Sequence, residues 1–440
     1  MKRSRPHSPT ARTTVRQIDA PEVPPIQLAG DPRGAIFVDP VAYADPAAWH
    51  ATAAELRRET PVLRVEAEGY EPFYAITRHA DVFDISRHHD RWHNTQESML
   101  MPDFAMGLLR SIGIDPKTLV HLDGAEHREH RKVTNDWFKP AAVRHRQADI
   151  EAIADQFVDK LLGFGGECDF ARDIAVPYTL RVIMSIFGVP EEDEPVMLRL
   201  TQGIFGAADP EYLGDMSNPV ELGTKVIGEF GDYFGALSAD RRAHPRDDLA
   251  TVIANGQVDG CPMDRHAELW YFIIVATAGH DTTSYALSGG LEALLRDPEQ
   301  LDALRADPEL ATPAAEEMIR WTAPVRHFLR YAQEDTQVHG VDIAEGERVL
   351  LSYWSANRDE DVFVDPMRFD IHRPDLVELI SFGVGAHHCL GAQVARRELR
   401  TFLPKMLDRV TDLELAGEPS WTEANFVGGV KHLPIRYRAR

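Results

Sequence analysis

The residues with the clearest chemical potential lie in one glycine-rich segment that contains a cysteine. The segment runs from Phe382 to Gly391, and its glycines allow tight turns or close approach to a flat group. A helical pattern follows from Ala392, so Cys389 is predicted near a helix N-terminus, where the helix dipole favours a thiolate. Such a thiolate is a nucleophile or a metal ligand, and a buried neutral thiol fits the spacing equally well. Zinc is disfavoured because adjacent residues rarely bind one tetrahedral ion.

A second candidate site follows the apolar run Leu269 to Ala278. There Gly279, Asp281 and Thr282 fall inside one predicted helix from Trp270 to Leu295. Threonines that bond back to the helix would explain the hydroxyls. They would not explain the carboxylate, which is costly to bury without a partner. A carboxyl beside a hydroxyl at a glycine-loosened turn therefore predicts a proton relay.

A third feature is an acid–base pair, Glu317 and Arg320, on a helical stretch from Pro313 to Trp321. On an exposed helix face such a pair contributes roughly 0.2–0.5 kcal/mol. Its spacing alone gives no functional indication.

Composition limits the class of protein that must position these residues. The chain has 440 residues, is 44% hydrophobic and carries a formal net charge of −23. This acidity disfavours binding to nucleic acid or to an anionic membrane surface. Three scattered cysteines predict a reducing, cytoplasmic location without a disulfide framework. The apolar run before Gly279 is far shorter than the roughly 20 residues that a membrane span needs, so a soluble protein is expected.

The pattern of elements predicts a mainly α protein with a smaller β region. Residues 1–35 are predicted to be a disordered basic tail, with a basic targeting peptide as the less favoured alternative, and residues 36–440 one domain. The predicted elements are a helix over Pro46 to Thr60, a β pair at 62–65 and 73–76, helices across 142–304, strands over 337–351 and an irregular stretch at 357–380. Irregular stretches of that length are usually functional.

In this order and spacing, the three features resemble the haem-thiolate monooxygenases of the cytochrome P450 family. The family pattern F-G-x-G-x-H-x-C-x-G is matched at every fixed position from Phe382 to Gly391. The patterns A/G-G-x-D/E-T-T/S and E-x-x-R fall on Ala278 to Thr283 and on Glu317 with Arg320. The resemblance is strongest to the bacterial α-terpineol-oxidising type. It implies the P450 fold, an α+β, triangular prism-like single domain.

The resemblance also implies a cofactor and roles for the motif residues. Haem b would be the cofactor, with Cys389 as the thiolate ligand of its iron. Asp281 and Thr282 would deliver protons to iron-bound O2, and Gly279 would leave room for that oxygen. His280 occupies a variable position of the motif and receives no catalytic part.

Further residues match the family's haem contacts. His127, Arg131, Arg330 and His387 correspond to the groups that bind the propionates, although the residues alone read as ordinary surface cations. The other predicted contacts are Ala278, Gly279, Phe382, Gly383, Leu390, Gly391 and Ala395. Glu317 and Arg320 are expected to be buried and structural, joined by Arg373, with Arg368 as the competing candidate. Leu379 departs from the family, which often has histidine at that place.

Variable segments of the family predict an apolar substrate pocket. The substrate contacts expected from position are Met99, Phe104, Val275, Val325, Phe328, Phe426 and Val427, with Leu100 and Met101 as further apolar side chains. Plain core packing is equally compatible with each of them. An apolar site suits a small monoterpenoid-like or aromatic substrate.

The predicted activity is hydroxylation with electrons from a separate [2Fe-2S]-type ferredoxin and its reductase. A partner is needed because Gly383-Val384-Gly385 lacks the context of a nucleotide-binding fingerprint. The alternatives are a non-catalytic haem-thiolate binding or sensor protein and a peroxide-driven oxygenase, and the intact Asp281 and Thr282 argue against both. A monomer is expected. Arg396, Arg397 and Arg400, opposed only by Glu398, with Arg128 and Lys132 alongside, predict a basic docking patch for an acidic partner.

Overall fold

The computed structural model describes residues 26–94, 97–111, 115–205, 209–213 and 219–440. Most of the predicted tail, residues 1–25, lies outside the described residues. The rest of it does not behave as a tail, because Leu28–Ala29 pairs with Ala67 and Glu66 of the neighbouring strand. The structured region therefore begins at or before Leu28, ahead of the boundary predicted at residue 35. The single domain over 36–440 stays a prediction.

Helices make up most of the described chain, as the sequence predicts. They are α1 (Ala35–Val38), α2 (Pro46–Glu59), α3 (His79–Arg87), α4 (Asp103–Ser111), α5 (Gly124–Asn135), α6 (Pro140–His145), α7 (Gln147–Gly163), α8 (Val176–Phe187), α9 (Glu194–Phe205), α10 (Pro210–Leu213), α11 (Pro219–Ala243), α12 (Leu249–Ala254), α13 (Arg265–Ala278), α14 (Asp281–Arg296), α15 (Pro298–Ala306), α16 (Ala311–Thr322), α17 (Tyr353–Ala356) and α18 (Ala392–Arg409). In the described ranges, none of them combines the length and apolarity required to cross a bilayer.

Several helix ends follow directly from local sequence. The Asp45 side chain accepts the N–H of Ala48 at the start of α2, where Pro46 occupies the first turn. Asp264 caps α13 in the same way, through the N–H groups of His266 and Ala267. These caps satisfy backbone donors that the first turn of a helix leaves free.

The strands form one larger sheet and several short ribbons. They are β1 (Leu28–Ala29), β2 (Val62–Ala67), β3 (Phe73–Ile76), β4 (Trp92–His93), β5 (Glu167–Asp169), β6 (Gln257–Val258), β7 (Cys261–Pro262), β8 (His327–Ala332), β9 (Thr336–Val338), β10 (Val341–Ile343), β11 (Arg348–Ser352), β12 (Val410–Leu415), β13 (Ser420–Trp421), β14 (Val430–His432) and β15 (Pro434–Ala439). The larger sheet has the order β1-β2-β3-β11-β8-β4, with β11 and β3 parallel and the other neighbours antiparallel. The predicted pairing of 62–65 with 73–76 is confirmed.

The main core forms where α14, α16 and α18 pack together against α7 and α8. Nearly every residue of α14 is buried, so this helix runs through the interior of the molecule. The sheet packs its own apolar cluster around Trp354, Phe73 and Leu350.

The single helix predicted from Trp270 to Leu295 is wrong in two respects. The chain breaks into α13 and α14 at Gly279 (φ −85°, ψ −17°) and His280 (φ −119°, ψ −51°). Helix α13 also starts at Arg265, five residues earlier than predicted. The break places the predicted relay residues at the beginning of α14.

Candidate functional site

The helix break lines a cavity of about 500 Å³. Its wall also includes the cysteine segment, the β8 side chains Phe328 and Arg330, and residues 426 and 427. Phe328 and Arg330 reach the same cavity because residues two apart on a strand share a face. The wall is mostly apolar, which is typical of a small-molecule site.

The glycine-rich segment folds back on itself to present its cysteine. The backbone N–H of Cys389 donates a hydrogen bond to the Phe382 carbonyl oxygen at 2.8 Å. Gly383 (φ 68°) and Gly385 (φ 77°) adopt left-handed backbone that favours glycine. A Cβ at Gly385 would also lie 2.9 Å from the carbonyl oxygen of Ser86. The turn leaves the Cys389 side chain accessible from the cavity.

The surroundings of Cys389 oppose and favour a thiolate at the same time. Burial raises the pKa of the Cys389 thiol, while the N–H groups of Gly391 and Ala392 and the charges of Arg131 and Arg396 lower it. Helix α18 begins at Ala392, so the predicted helix N-terminus lies just after the cysteine. A thiolate here gains its remaining stabilisation from a positive partner, and a metal ion supplies one.

Four basic side chains line the cavity beside the cysteine: His127, Arg131, Arg330 and His387. The rings of His127 and His387 lie 4.1 Å apart between centroids. Burial lowers the pKa of His127 to about 4 and that of His387 to about 2, and nearby cations lower both further. Burial also lowers the pKa of the Arg330 guanidinium. The four groups therefore form a largely buried cationic cluster, in which Arg131 and Arg330 carry the positive charge near pH 7 and the two histidines are neutral hydrogen-bonding groups.

This cluster fits the two propionates of haem. His127 Nε2 is buried and has no hydrogen-bond partner among the described residues. A buried cationic cluster with an orphaned donor is stabilised when carboxylates join it. A Cβ built on Gly391 meets no atom within 4 Å, so there is free space close to Cys389 that a flat macrocycle would fill. The predicted contacts Ala278, Gly279, Phe382, Gly383, Leu390 and Ala395 all line the same cavity.

Only one member of the predicted acid–alcohol pair, Thr282, lies in the cavity wall. The Thr282 side chain is partly exposed there, and its hydroxyl donates to the Ala278 carbonyl oxygen at 3.0 Å. Asp281 is 5% exposed and, among the described residues, is not part of the wall. Its Oδ1 instead lies 3.0 Å from Nε2 of His280, the residue to which the sequence assigned no part.

Gly279 has a packing reason that the sequence did not reveal. A Cβ at Gly279 would lie 2.6 Å from Ile183 Cγ1 of α8 and 3.1 Å from the Val275 carbonyl oxygen. The close approach of α8 therefore requires glycine here, whatever room it leaves for oxygen.

Glu317 and Arg320 are fully buried, with Arg320 Nε 2.6 Å from Glu317 Oε2. Arg373 Nε lies 3.4 Å from the same carboxylate. Arg368 contributes its carbonyl oxygen, which accepts from Arg320 and Arg373. The structure thus places the Arg373 side chain in the network. Arg320 also donates to the Asn357 carbonyl oxygen at 2.8 Å, which ties α16 to the irregular stretch.

The predicted substrate contacts all reach the cavity wall: Met99, Phe104, Val275, Val325, Phe328, Phe426 and Val427. Met101 lines it as well, whereas Leu100 is buried in the core cluster of the larger sheet. The suggestion of a pocket role for Leu100 is therefore wrong, because adjacent residues point to opposite sides. Phe104 is 68% exposed and so has room to move at this wall.

Other wall residues carried no sequence signal. Ile183 of α8, Ile204 of α9 and Trp270 of α13 line the cavity, but their periodicity equally predicts core packing. His121 is a polar member of the wall, held between the hydroxyls of Thr118 and Ser98 at 2.8 Å and 3.0 Å. Burial lowers the pKa of His121 to about 4, so the ring is neutral near pH 7.

The predicted basic patch is weaker than its sequence indicates. Glu398 is fully buried and does not face the arginines at the surface. Glu316 of α16 binds Arg396 at 2.8 Å and Arg400 at 2.6 Å instead. The sequence missed this acid because it lies 80 residues away from Arg396.

Comparisons with known proteins agree with this geometry. The cytochrome P450 family model matches residues 242–416. Cytochrome P450-terp from Pseudomonas sp. is 40% identical over 412 residues, covering 90% of this chain and 95% of that protein. Linalool 8-monooxygenase from Pseudomonas putida is 31% identical over 394 residues, covering 88% and 95%. The crystal structure of CYP108D1 from Novosphingobium aromaticivorans has a TM-score of 0.87 at 40% identity, covering 93% of this chain and 98% of that one.

Proposed function

Because the chain belongs to the cytochrome P450 family, we propose that it hydroxylates a small apolar substrate, terpenoid-like or aromatic, with electrons from a separate ferredoxin. The predicted P450 fold and monooxygenase class are confirmed by the relatives and the solved structure. Haem b is the cofactor, and when bound it supplies the iron at which O2 is activated for insertion of one oxygen atom into a C–H bond.

The observation that carries this proposal is the position of Cys389 beside the cationic cluster. Its side chain is accessible from the cavity, as a ligand of a metal in that cavity must be. His127, Arg131, Arg330 and His387 would hold the two propionates by charge-assisted hydrogen bonds. The Glu317–Arg320–Arg373 network would fix the irregular stretch that leads into the cysteine segment.

Thr282 is the residue best placed to deliver protons into the cavity. Its hydroxyl now donates to the Ala278 carbonyl oxygen, and rotation about χ1 would turn it into the cavity. Asp281 would carry protons from solvent toward this hydroxyl. A positioned hydroxyl that accepts and passes on a proton contributes about 10²–10⁴-fold in rate.

The apolar wall supports a small hydrophobic substrate. Valines, phenylalanines and isoleucines dominate its lining, and His121 with Thr118 offers one neutral polar anchor. Names of relatives point the same way, since one is a linalool 8-monooxygenase and another is called P450-terp. A monoterpenoid alcohol, apolar with one hydroxyl, matches such a wall.

The non-catalytic and peroxide-driven alternatives are weaker on one observation. The bond from the Thr282 hydroxyl to the Ala278 carbonyl oxygen explains the hydroxyl structurally but does not explain the buried carboxylate of Asp281 beside it, and a protein that only binds haem needs no such acid. A peroxide-driven oxygenase takes its oxygen from peroxide, which is already reduced and protonated, so it does not need a proton relay. Thr282 and Asp281 therefore favour O2-dependent turnover.

The ferredoxin would dock beside the cysteine segment. An apolar groove there includes Phe83 and Val377, and Val377 is 85% exposed. Among the described residues, Arg128 and Arg397 have no carboxylate in ion-pair contact and supply positive charge for an acidic iron–sulfur protein.

Reduction by such a ferredoxin should slow as salt is added. Arg397→Glu should slow it further, whereas Arg64→Glu on strand β2 should not. Equal rates at all salt concentrations would contradict this docking mode.

The absorbance of the reduced, carbon monoxide-bound protein tests the haem-thiolate site. The thiolate-ligated Soret position is expected for the wild type and should disappear in Cys389→His. A wild-type band at the position of a neutral ligand would refute the proposal.

Substrate titration tests the chemical class. Monoterpenoid alcohols should shift the Soret band at lower concentrations than steroids or long fatty acids. The opposite order would remove the terpenoid-like class.

Electron coupling tests the relay. Thr282→Ala should divert electrons from product to peroxide by about tenfold or more. Thr277→Ala is the matched control, because Thr277 also lines the cavity and donates to a helix carbonyl oxygen, that of Ile273 at 2.7 Å. Unchanged coupling in Thr282→Ala would exclude its proposed role.

A further inference from the structure

His280 occupies an unusual place for a histidine that performs no function. It is fully buried, at the break between α13 and α14, with none of its surface exposed. The site residues on either side of it, Gly279 and Thr282, line the cavity, whereas His280 points away from it. Burying an imidazole costs free energy unless its nitrogens find partners, so its contacts indicate what it does.

One ring nitrogen contacts two partners. His280 Nε2 lies 3.0 Å from Asp281 Oδ1 and 3.3 Å from the Thr201 hydroxyl oxygen of α9. The Thr201 hydroxyl has its own acceptors, the carbonyl oxygens of Met197 and Leu198, both at 3.0 Å. Its oxygen is therefore free to accept, so a hydrogen on Nε2 would face both the hydroxyl and the carboxylate. Nδ1 has no hydrogen-bond partner among the described residues, so the contacts of the ring are those of Nε2.

The backbone of His280 is held separately, by α8. Its carbonyl oxygen accepts from the Ser284 N–H at 2.9 Å and from the Thr179 hydroxyl at 3.0 Å. Thr179 and Thr201 are thus two fully buried threonines on neighbouring helices that both reach the same residue. Thr179 fixes the main chain, and Thr201 fixes the ring.

Helix α9 also forms part of the cavity wall. Gly203 and Ile204 line the cavity within one turn of Thr201. A substrate that pushes on this wall therefore acts on the helix that holds the His280 ring. The ring in turn holds the Asp281 carboxylate away from the cavity.

We propose that His280 is a positioning residue that ties the Asp281 carboxylate to α9 and so couples the occupied state of the cavity to proton delivery at Thr282. This rests on the proposed function. Asp281 Oδ1 leaves the Nε2 hydrogen before it can serve Thr282. The proton it then passes on comes from solvent, and His280 keeps its own hydrogen throughout. Thr201 transmits a movement of α9 to His280 because its hydroxyl is the contact between this helix and the ring.

Two substitutions of equal size test the coupling in the holoenzyme. Thr201→Val removes the hydroxyl that holds the ring, and Thr179→Val removes the hydroxyl that holds the backbone. We expect Thr201→Val to increase peroxide formation per electron by roughly tenfold, the equivalent of one ordinary hydrogen bond. We expect Thr179→Val to leave the peroxide yield within about twofold of wild type. Equal effects of the two would overturn the proposal.

Substitution of His280 itself separates positioning from folding. His280→Leu should raise the peroxide yield, and His280→Gln should restore coupling because the amide keeps an N–H near the position of Nε2. In the Asp281→Asn background, His280→Leu should cause no further change. Failure of glutamine to restore coupling, or a full additional effect in that background, would contradict the role.

A measurement without turnover keeps this inference distinct from the proposed function. In a double-mutant cycle on unfolding, His280→Leu and Asp281→Asn should be non-additive by about fivefold or more in the folding equilibrium constant. Strict additivity would show that the contact carries no energy and would overturn the inference. A protein without the thiolate Soret band would instead refute the proposed function while this cycle still reported the contact.

Discussion

The contrast between Gly279 and Gly391 gives the sharpest prediction, because the two glycines line the same cavity for different physical reasons. In Gly279→Ala the new Cβ would lie 2.6 Å from Ile183 Cγ1 and 2.9 Å from Ile183 Cδ1. Ile183 can relieve this contact only by moving into the cavity that it lines, and the Val275 carbonyl oxygen, 3.1 Å from the new Cβ, belongs to the backbone and cannot turn aside. In Gly391→Ala the new Cβ meets no protein atom within 4 Å.

The expected change in the free energy of unfolding is the cost of overpacking minus the gain in helix propensity. Extra methyl groups in a packed core cost about 1–3 kcal/mol. Alanine gains up to about 1 kcal/mol over glycine where the backbone is helical, as it nearly is at Gly279. We expect Gly279→Ala to lower the free energy of unfolding by about 1–2 kcal/mol. Gly391→Ala should leave protein packing intact and lower the haem content, because its Cβ enters the space left for the macrocycle.

Denaturant unfolding and haem content per chain are the two assays. Ile183→Ala alone should destabilise the protein by about 2–5 kcal/mol, as deletion of a buried isoleucine does. Combined with Gly279→Ala it should cost less than the sum, because the removed atoms are those that clash. Strict additivity, or a Gly279→Ala midpoint equal to wild type, would refute the packing argument. If the double variant is no less stable than Ile183→Ala alone but its coupling is still impaired, the room at Gly279 serves oxygen as well.

Two further predictions concern stability. Glu317→Gln breaks a fully buried ion pair and should cost about 3–5 kcal/mol in unfolding free energy, whereas Arg368→Ala should change it by less than about 0.5 kcal/mol because only its backbone joins the network. Burial lowers the pKa of His432, but hydrogen bonds to Asp169 and Glu211 raise it more, so the net shift is upward. The stabilisation of the folded state by protonated His432 should be complete below about pH 6 and be lost as pH rises through the raised pKa. The denaturant midpoint of the wild type should fall over that pH range, and the midpoint of His432→Gln should not.

The side of the cavity that holds the cysteine could be predicted from the sequence because its geometry is local. The turn from Phe382 to Cys389 is closed by one backbone hydrogen bond and two glycines with positive φ. All of these lie within ten residues. The motif therefore carries the structure as well as the chemistry, and residues that follow it, such as Ala395, reach the cavity as expected.

Errors arose where distant parts of the chain meet. The strand at Leu28 becomes visible only when it pairs with Ala67, and Glu316 neutralises the arginines of α18 from another helix. The pocket role of Leu100 is predicted from an apolar side chain in a variable segment of the family, which does not separate the two faces of an irregular segment. Each error concerns a contact whose partner has no fixed spacing in the sequence.

The same distinction explains why the cavity wall around Gly279 and Thr282 is harder to predict from the sequence than the wall around Cys389. It also explains why substitutions elsewhere in the chain can change it more easily. His280 contacts Thr179 across 101 residues and Thr201 across 79 residues, and Gly279 owes its identity to Ile183 of α8. A motif of six residues therefore fixes which groups are present but leaves their orientation to α8 and α9. Because Thr201 is the contact to the His280 ring, we expect substitutions in α9 to redirect Asp281 without changing the motif. The turn at Cys389 is closed by contacts within its own segment. Variation in proton delivery among related enzymes should accordingly map to α9 rather than to the cysteine segment.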